Sequence, residues 1–264
     1  SGLTTLSGGT IRVGNASGTG LLGSGAVVNN ATLILDRTND FTLVNNISGS
    51  GTLTKLPGNV ATLTGSNSWS GTTTISAGTL QIGDGGTSGS LGTGPVVDNA
   101  ALVFNRSDNL TQNGLISGTG TLTQQGSGTL TLTANNTYSG TNTIANGVLV
   151  LTNDAPNPTN KTFGGTGQLH IEPAGTSFTS GFLTSAWTLG SSLSGLTLGK
   201  DGNTANITVD SATSIAGPIA VYGGNIAINS SLTSTGTASN ASITLKGSGN
   251  VTDGASGYVQ SGSD

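Results

Sequence analysis

Residues 52–82 read TLTKLPGNVATLTGSNSWSGTTTISAGTLQI, and residues 121–151 read TLTQQGSGTLTLTANNTYSGTNTIANGVLVL. Laid over each other, with Thr52 on Thr121 and Ile82 on Leu151, the two stretches hold register without a gap. The match extends upstream. TTLSGGTIRVG from Thr4 meets TTISAGTLQIG from Thr73, and LGSGAVVNNATLILDR from Leu22 meets LGTGPVVDNAALVFNR from Leu91. Chance similarity does not keep register for so long. Thr4–Ile82 therefore aligns with Thr73–Leu151 at an offset of 69 residues, the chain repeats itself with that period, and internal repetition is the strongest guide to the fold.

The exchanges between the copies carry the physics. Ile11/Leu80, Val13/Ile82, Leu33/Leu102, Leu35/Phe104, Leu53/Leu122 and Leu63/Leu132 stay apolar in both. Several lie two apart around a residue free to be polar, as in Ile11-Arg12-Val13 and Leu130-Thr131-Leu132. That period marks short strands with one buried face. Clusters of Gly, Asn, Ser and Asp separate the strands and supply turns. Strong apolar positions recur roughly every 20–27 residues, at Ile11, Leu33, Leu53, Leu80, Leu102 and Leu122. One such coil cannot cover its own inward face, but a stack of them can. The pattern predicts an all-β fold, a right-handed parallel β-helix (solenoid) of about 11–12 coils, with each 69-residue unit forming three coils of about 23 residues. A compact sandwich needs longer strands and leaves the ungapped period unexplained.

Three regions are expected. Residues 1–153 form a β-helix with two copies of the repeat. Residues 154–175 are a Pro-containing transition, opened by Asp154-Ala155-Pro156-Asn157-Pro158, because proline cannot donate to a ladder. Residues 176–264 continue the helix less regularly, with Leu196/Leu198, Ile207/Val209, Ile219/Val221, Ile226/Ile228 and Ile243/Leu245 again two apart.

Composition narrows the function. Charged residues are 7% of the chain, against roughly 25% in ordinary globular proteins. The net charge is −4 and no basic stripe exists, which argues against a nucleic-acid partner. Cysteine is absent, so there is no disulfide frame or thiolate metal site. No apolar run approaches the ~20 residues of a membrane-spanning helix, so no membrane insertion of this segment is expected. No signal peptide opens the chain, so if the protein is secreted its export signals are expected outside this segment.

The chemistry on offer is thin. His170 and Glu172 are the sole histidine and glutamate, two apart on one strand, and read better as strand surface than as half of a metal or acid–base site. Asp36, Arg37 and Asp40 form the densest charged cluster. Their repeat equivalents are Asn105, Arg106 and Asn109, with Asp108 beside them, and that drift suits a turn better than a glycosidase acid. Asp84-Gly85-Gly86 and Asp201-Gly202-Asn203 lack calcium-repeat spacing and read as tight turns. Thr129–Thr133 alternates Thr and Leu, which suits hydroxyl ladders. Trp69 and Tyr138 hold the same repeat position before Ser-Gly-Thr; they are either a surface platform for stacking sugars or large side chains packed inward. No catalytic, metal or cofactor-binding residue is assigned, and no enzyme or cofactor is expected.

The two quoted stretches resemble the autotransporter-associated β-strand repeat of Gram-negative autotransporter passengers. The matching residues in the second copy are Gly128-Thr129-Leu130-Thr131-Leu132, Asn136-Thr137-Tyr138-Ser139-Gly140 and Gly147-Val148-Leu149. The first copy departs with Pro57-Gly58-Asn59-Val60 and with Trp69 in place of Tyr. GPIAVYGGNIAINSSLTSTGTASNASITLKGSGNV, from Gly217, resembles filamentous-haemagglutinin-type adhesins. These resemblances imply type V or two-partner export through an outer-membrane translocator, a secreted or cell-surface location, and a stalk, fibre or adhesive role. The partners they imply are the flanking domains of a longer chain, and homotypic fibre contacts or host or biofilm glycans.

Overall fold

The computed structural model describes residues 2–56, 58–152, 161–237 and 240–262. The chain is all-β, with parallel strands stacked as a β-solenoid. Among the described residues the strands pair in parallel, from Thr4–Leu6 with Val27–Asn29 to Ser231–Ser234 with Tyr258–Ser261. Among the described residues one helical turn occurs, the 3₁₀ segment Thr184–Ala186. The windings amount to about 12 turns.

Two compact units are present. One is Ser1–Leu130 with Asn136–Gly140, and the other is Thr131–Asn135 with Thr141–Asp264. In the first, a coil such as 27–43 gives one strand to each of three sheets: Val27–Asn29, Thr32–Arg37 and Phe41–Leu43. In the second, Ile219–Gly223, Ile226–Ile228 and Ser231–Ser234 do the same. The proline tract Asp154–Pro158, like Pro57, lies outside the described residues.

The alternation read from the sequence places the core. Along one sheet of the first unit Leu33, Leu53, Thr73, Val96 and Ile116 stand in register, each on the one before. Along the next, Phe41, Ala61, Leu80, Leu102 and Leu122 do likewise. These inward side chains are buried, while the intervening Thr54, Thr74, Thr62 and Thr123 are half-exposed. A strand of three or four residues buries only one or two aliphatics. Stability therefore comes from stacking and not from any coil alone.

The expected three-coil repeat is corrected in one respect. Most coils are shorter than an even three-way division of the repeat requires: Val60 already pairs with Thr79, and Ala101 with Thr121. Three rungs above Leu33 in its own sheet lies Val96, whereas its repeat equivalent Leu102 lies in the neighbouring sheet. Likewise Thr32–Arg37 and Thr52–Lys55 share one sheet, and their equivalents Ala101–Phe104 and Thr121–Gln124 share the next. The repeat unit thus advances three turns plus one side. The periodic apolar spacing could not reveal this, because an inward Leu looks the same on every side.

The corners explain the glycine content. Gly51, Gly71, Gly94 and Gly114 stack on successive coils. A Cβ on Gly71 would lie 2.2 Å from the Gly51 carbonyl oxygen, one on Gly94 2.3 Å from that of Gly71, and one on Gly114 2.3 Å from that of Gly94. Gly140, in the second Ser-Gly-Thr, would place a Cβ 1.9 Å from the Gly120 oxygen. Backbone rests on backbone, and no side chain fits between. Gly140→Ala is expected to lower the unfolding free energy by at least ~2 kcal/mol through overpacking. Gly175→Ala, where a Cβ would meet nothing within 4 Å, is expected to be near neutral. Urea titrations of the two variants beside the parent check this, and equal midpoints would refute the stacked-corner account.

Candidate functional site

The surface-platform alternative for Trp69 and Tyr138 is corrected by their burial. Trp69 is 0% and Tyr138 2% exposed. The indole N–H donates to Thr73 Oγ1 at 3.0 Å, and the ring lies against Gly92, where a Cβ would approach it within 2.6 Å. Both rings are core pieces under the corner, and neither offers a face to a sugar.

The charged cluster at Asp36 is structural in its contacts. Arg12 donates to Asp36 at 2.7 Å through Nε and stands 2.5 Å away through Nη2, and Ala16 N–H donates to the same oxygen at 2.7 Å. The Arg12 hydrogen bond holds the Asp36 carboxyl below its ordinary pKa. The bulge it secures includes Asn15 and Ala16 at φ 95° and 53°, backbone conformations rare for residues with a side chain. Asp40 accepts from Val60 N–H at 2.8 Å, one coil on. Arg37 donates to the carbonyls of Gly18 at 2.6 Å and Gly20 at 3.0 Å. Its repeat equivalent Arg106 donates to Thr87 O at 2.6 Å and to Gly89 O, and binds Asp108 through Nε at 2.8 Å. Each arginine ties down a loop of the preceding coil. That shared duty was not legible from the Asp–Arg–Asp spacing, because the loop carbonyls it serves lie most of a coil earlier in the chain.

Asparagines form a second recurring device. Asn30 Oδ1 accepts from Ser50 N–H at 3.0 Å, and its repeat equivalent Asn99 Oδ1 from Thr119 N–H at 3.4 Å, each one coil on. Asn67 and Asn136 accept from the N–H groups of Ile47 and Ile116, one coil back. Asp84 accepts weakly from Gly86 N–H at 3.4 Å, closing a turn.

Two buried polar positions differ between the copies. Lys55 is 0% exposed, with Nζ donating to Leu56 O at 2.6 Å and Asn59 Oδ1 at 3.0 Å; burial pushes its pKa down. In the second copy Gln124 replaces it and donates to Gly126 O and Gly128 O, both at 2.9 Å. Asn29 donates to Thr52 O at 2.9 Å and accepts from Ala31 N–H at 3.1 Å. Its counterpart Asp98, 0% exposed, accepts from Ala100 N–H at 3.0 Å, but its Oδ2 has no hydrogen-bond partner among the described residues. Burial pushes the Asp98 carboxyl up to about 6.

His170 and Glu172 face each other, with Nδ1 and Oε1 3.4 Å apart and both side chains about a quarter exposed (28% and 26%). Hydrogen bonding to His170, then the charges of His170 and Lys200, hold Glu172 below its ordinary pKa. A neighbouring cluster escaped the sequence reading. Lys200, Asp201, Asn203, Tyr222, Lys246 and Ser248 line a cavity of about 150 Å³. Tyr222 and Lys246 are ladder partners, and Lys246 pairs with Asp201 at 2.7 Å. The signal was present as IAVYGG beneath ITLKGS, one coil apart, but spotting it requires the rung register.

Residues 59–82 and 122–151 match the passenger-associated-transport-repeat family. The chain is also similar to the adhesin BmaC autotransporter of Brucella suis biovar 1 (strain 1330), 47% identical over 87 residues. That match covers 31% of this chain and 2% of the relative's length. No solved structure matches the chain.

Asp98 yields a pH prediction. Its folded pKa lies above the unfolded 3.8, so the folded state holds a proton that the unfolded chain releases. Stability from this site is complete below pH 3.8 and is lost as pH rises through about 6. Asp98→Asn restores the amide of the first copy. It is expected to raise unfolding free energy at pH 7.5 by roughly 1–3 kcal/mol, with the gain shrinking at pH 4. Urea titrations at both pH values check this, and a gain independent of pH would contradict it. Two segments of this chain, 59–82 and 122–151, thus match the passenger-associated-transport-repeat model, and both lie within parallel windings.

Proposed function

We propose that the chain is a stalk segment of a large surface adhesin of a Gram-negative bacterium, exported within an autotransporter passenger through an outer-membrane translocator. The single observation that carries this reading is the transport repeat itself, matched at residues 59–82 and 122–151 within parallel windings. The role is mechanical and not catalytic. Inward aliphatics and coil-to-coil hydrogen bonds spend nearly all the side-chain chemistry on stacking. The haemagglutinin-like texture of residues 176–264 fits a continuation of the same stalk.

Self-association is part of the proposal. Residues 243–262 put the terminal strand in each of three sheets: Ile243–Gly247, Val251–Asp253 and Tyr258–Ser261. Val251, Tyr258 and Val259 are 47%, 55% and 47% exposed there. Such an edge invites another β-rung, either the next turn of a longer chain or a second copy. The low charge density leaves little repulsion against it.

Display tests the stalk reading. The chain is placed between a signal peptide and an autotransporter translocator in a Gram-negative host, with an epitope tag at its N-terminal end. The expected outcome is a tag that surface antibody reaches in intact cells and external protease removes; periplasmic retention would overturn the reading. For association, light scattering from about 10 µM to 1 mM is expected to show a mass that rises with concentration and falls when Val251 and Val259 are both replaced by Lys. A constant monomer mass would end that part.

A further inference from the structure

The cavity beside Tyr222 is the place where this chain concentrates cationic groups that are not committed to its own core. Of its seven Lys and Arg residues, Lys55 and Lys161 are buried. Arg12, Arg37 and Arg106 are bound to Asp36, to loop carbonyls, and to Asp108. The remaining two, Lys200 and Lys246, line one concavity. Lys200 Nζ donates to Pro173 O at 3.0 Å, which leaves two of its three N–H donors for other acceptors. Lys246 pairs with Asp201, but that pair is 59% and 74% exposed. An ion pair so open to solvent exchanges readily.

The floor of the cavity is fixed. Asn203, 3% exposed, donates to Tyr222 O at 2.7 Å and accepts from Ser177 Oγ, Phe178 N–H and Ala205 N–H at 2.9, 3.2 and 3.2 Å. Gly199, at φ +77°, turns the chain out of its strand, and a Cβ there would strike Tyr222 O. Glycines 223 and 247 add no side chains to the wall. The space of about 150 Å³ is smaller than the pocket of a drug-sized molecule and suits one small unit.

We propose that this cavity binds a single carboxylate-bearing sugar unit. The carboxylate lies against the Lys200 and Lys246 ammonium groups, and the sugar ring lies beside Tyr222. Two cations and one anion line the space, so an anionic ligand is favoured over a neutral one, while Asp201 competes with it for Lys246 and the nearby Glu172 carboxylate competes for Lys200. The phenol ring supplies the apolar contact that a sugar face requires. The site is independent of the stalk reading. A stalk without it remains a stalk, and display on cells does not depend on it.

The test is an amide NMR titration of the whole chain with methyl glucuronide and, separately, methyl glucoside. Glucuronide is expected to shift the amides of Tyr222, Gly223, Lys246 and Gly247, and glucoside to bind at least ~10-fold more weakly. Lys246→Gln and Lys200→Gln are each expected to weaken glucuronide binding by about 5–10-fold with the remaining spectrum unchanged. Asp201→Asn, by freeing Lys246, is expected to tighten it about 2-fold or more. Absence of shifts at ~50 mM glucuronide, equal response to the two glycosides, or indifference to both lysine variants would each overturn the proposal.

Discussion

The structure depends on the contact of each turn's backbone with the next, at a spacing of about 4.8 Å. Every strand is too short to hold itself, so its N–H and C=O groups are satisfied only by the coils above and below. This constraint reaches into the corners, where no sheet ladder exists. There the coil-to-coil bonds continue as single backbone contacts, such as Ser68 N–H to Ile47 O at 2.8 Å and Ser70 N–H to Gly49 O at 2.9 Å. Asparagine amides continue the same series where the backbone cannot. The abundance of Gly and Asn thus has one cause: the chain must approach itself closely at every bend and still pair its polar groups.

The same constraint shows why buried polar residues persist here. At two inward positions one copy of the repeat carries an amide and the other an ion: Gln124 against Lys55, and Asn29 against Asp98. The amide forms hydrogen-bond to loop or strand backbone. The ionic forms occupy the same slots under a desolvation penalty. The slot is set by the corner geometry, which needs a polar group to reach the adjacent backbone. The charge is incidental to it, and the two copies have drifted apart in charge while keeping the polar reach.

The fold was legible because an inward aliphatic every second residue, punctuated by Gly and Asn, has few other solutions. Leu33, Leu53, Leu80, Leu102 and Leu122 were marked in the sequence and all lie in the core. Coil length was less legible, since long connections such as 18–26 and 83–95 lengthen some coils without altering the apolar marks. The burial of Trp69 and Tyr138 followed from their place beside the stacked glycines, which spacing alone did not reveal. The cavity at Lys200, Tyr222 and Lys246 was not legible from linear spacing. Its members come from three successive coils, and only the rung register of Tyr222 with Lys246 brings them together.

In the first unit the repeat outruns three full windings by one side. A strand that slips by whole rungs therefore never meets its own duplicate. Thr32–Arg37 displaced along its column encounters Thr52–Lys55 or Thr73–Ile75, while its near-identical twin Ala101–Phe104 sits around the corner. Duplicated sequence ordinarily invites mistaken pairing between the copies. Here the fractional advance keeps the twins on different columns, so gene duplication could lengthen the winding without supplying each segment with a decoy of itself.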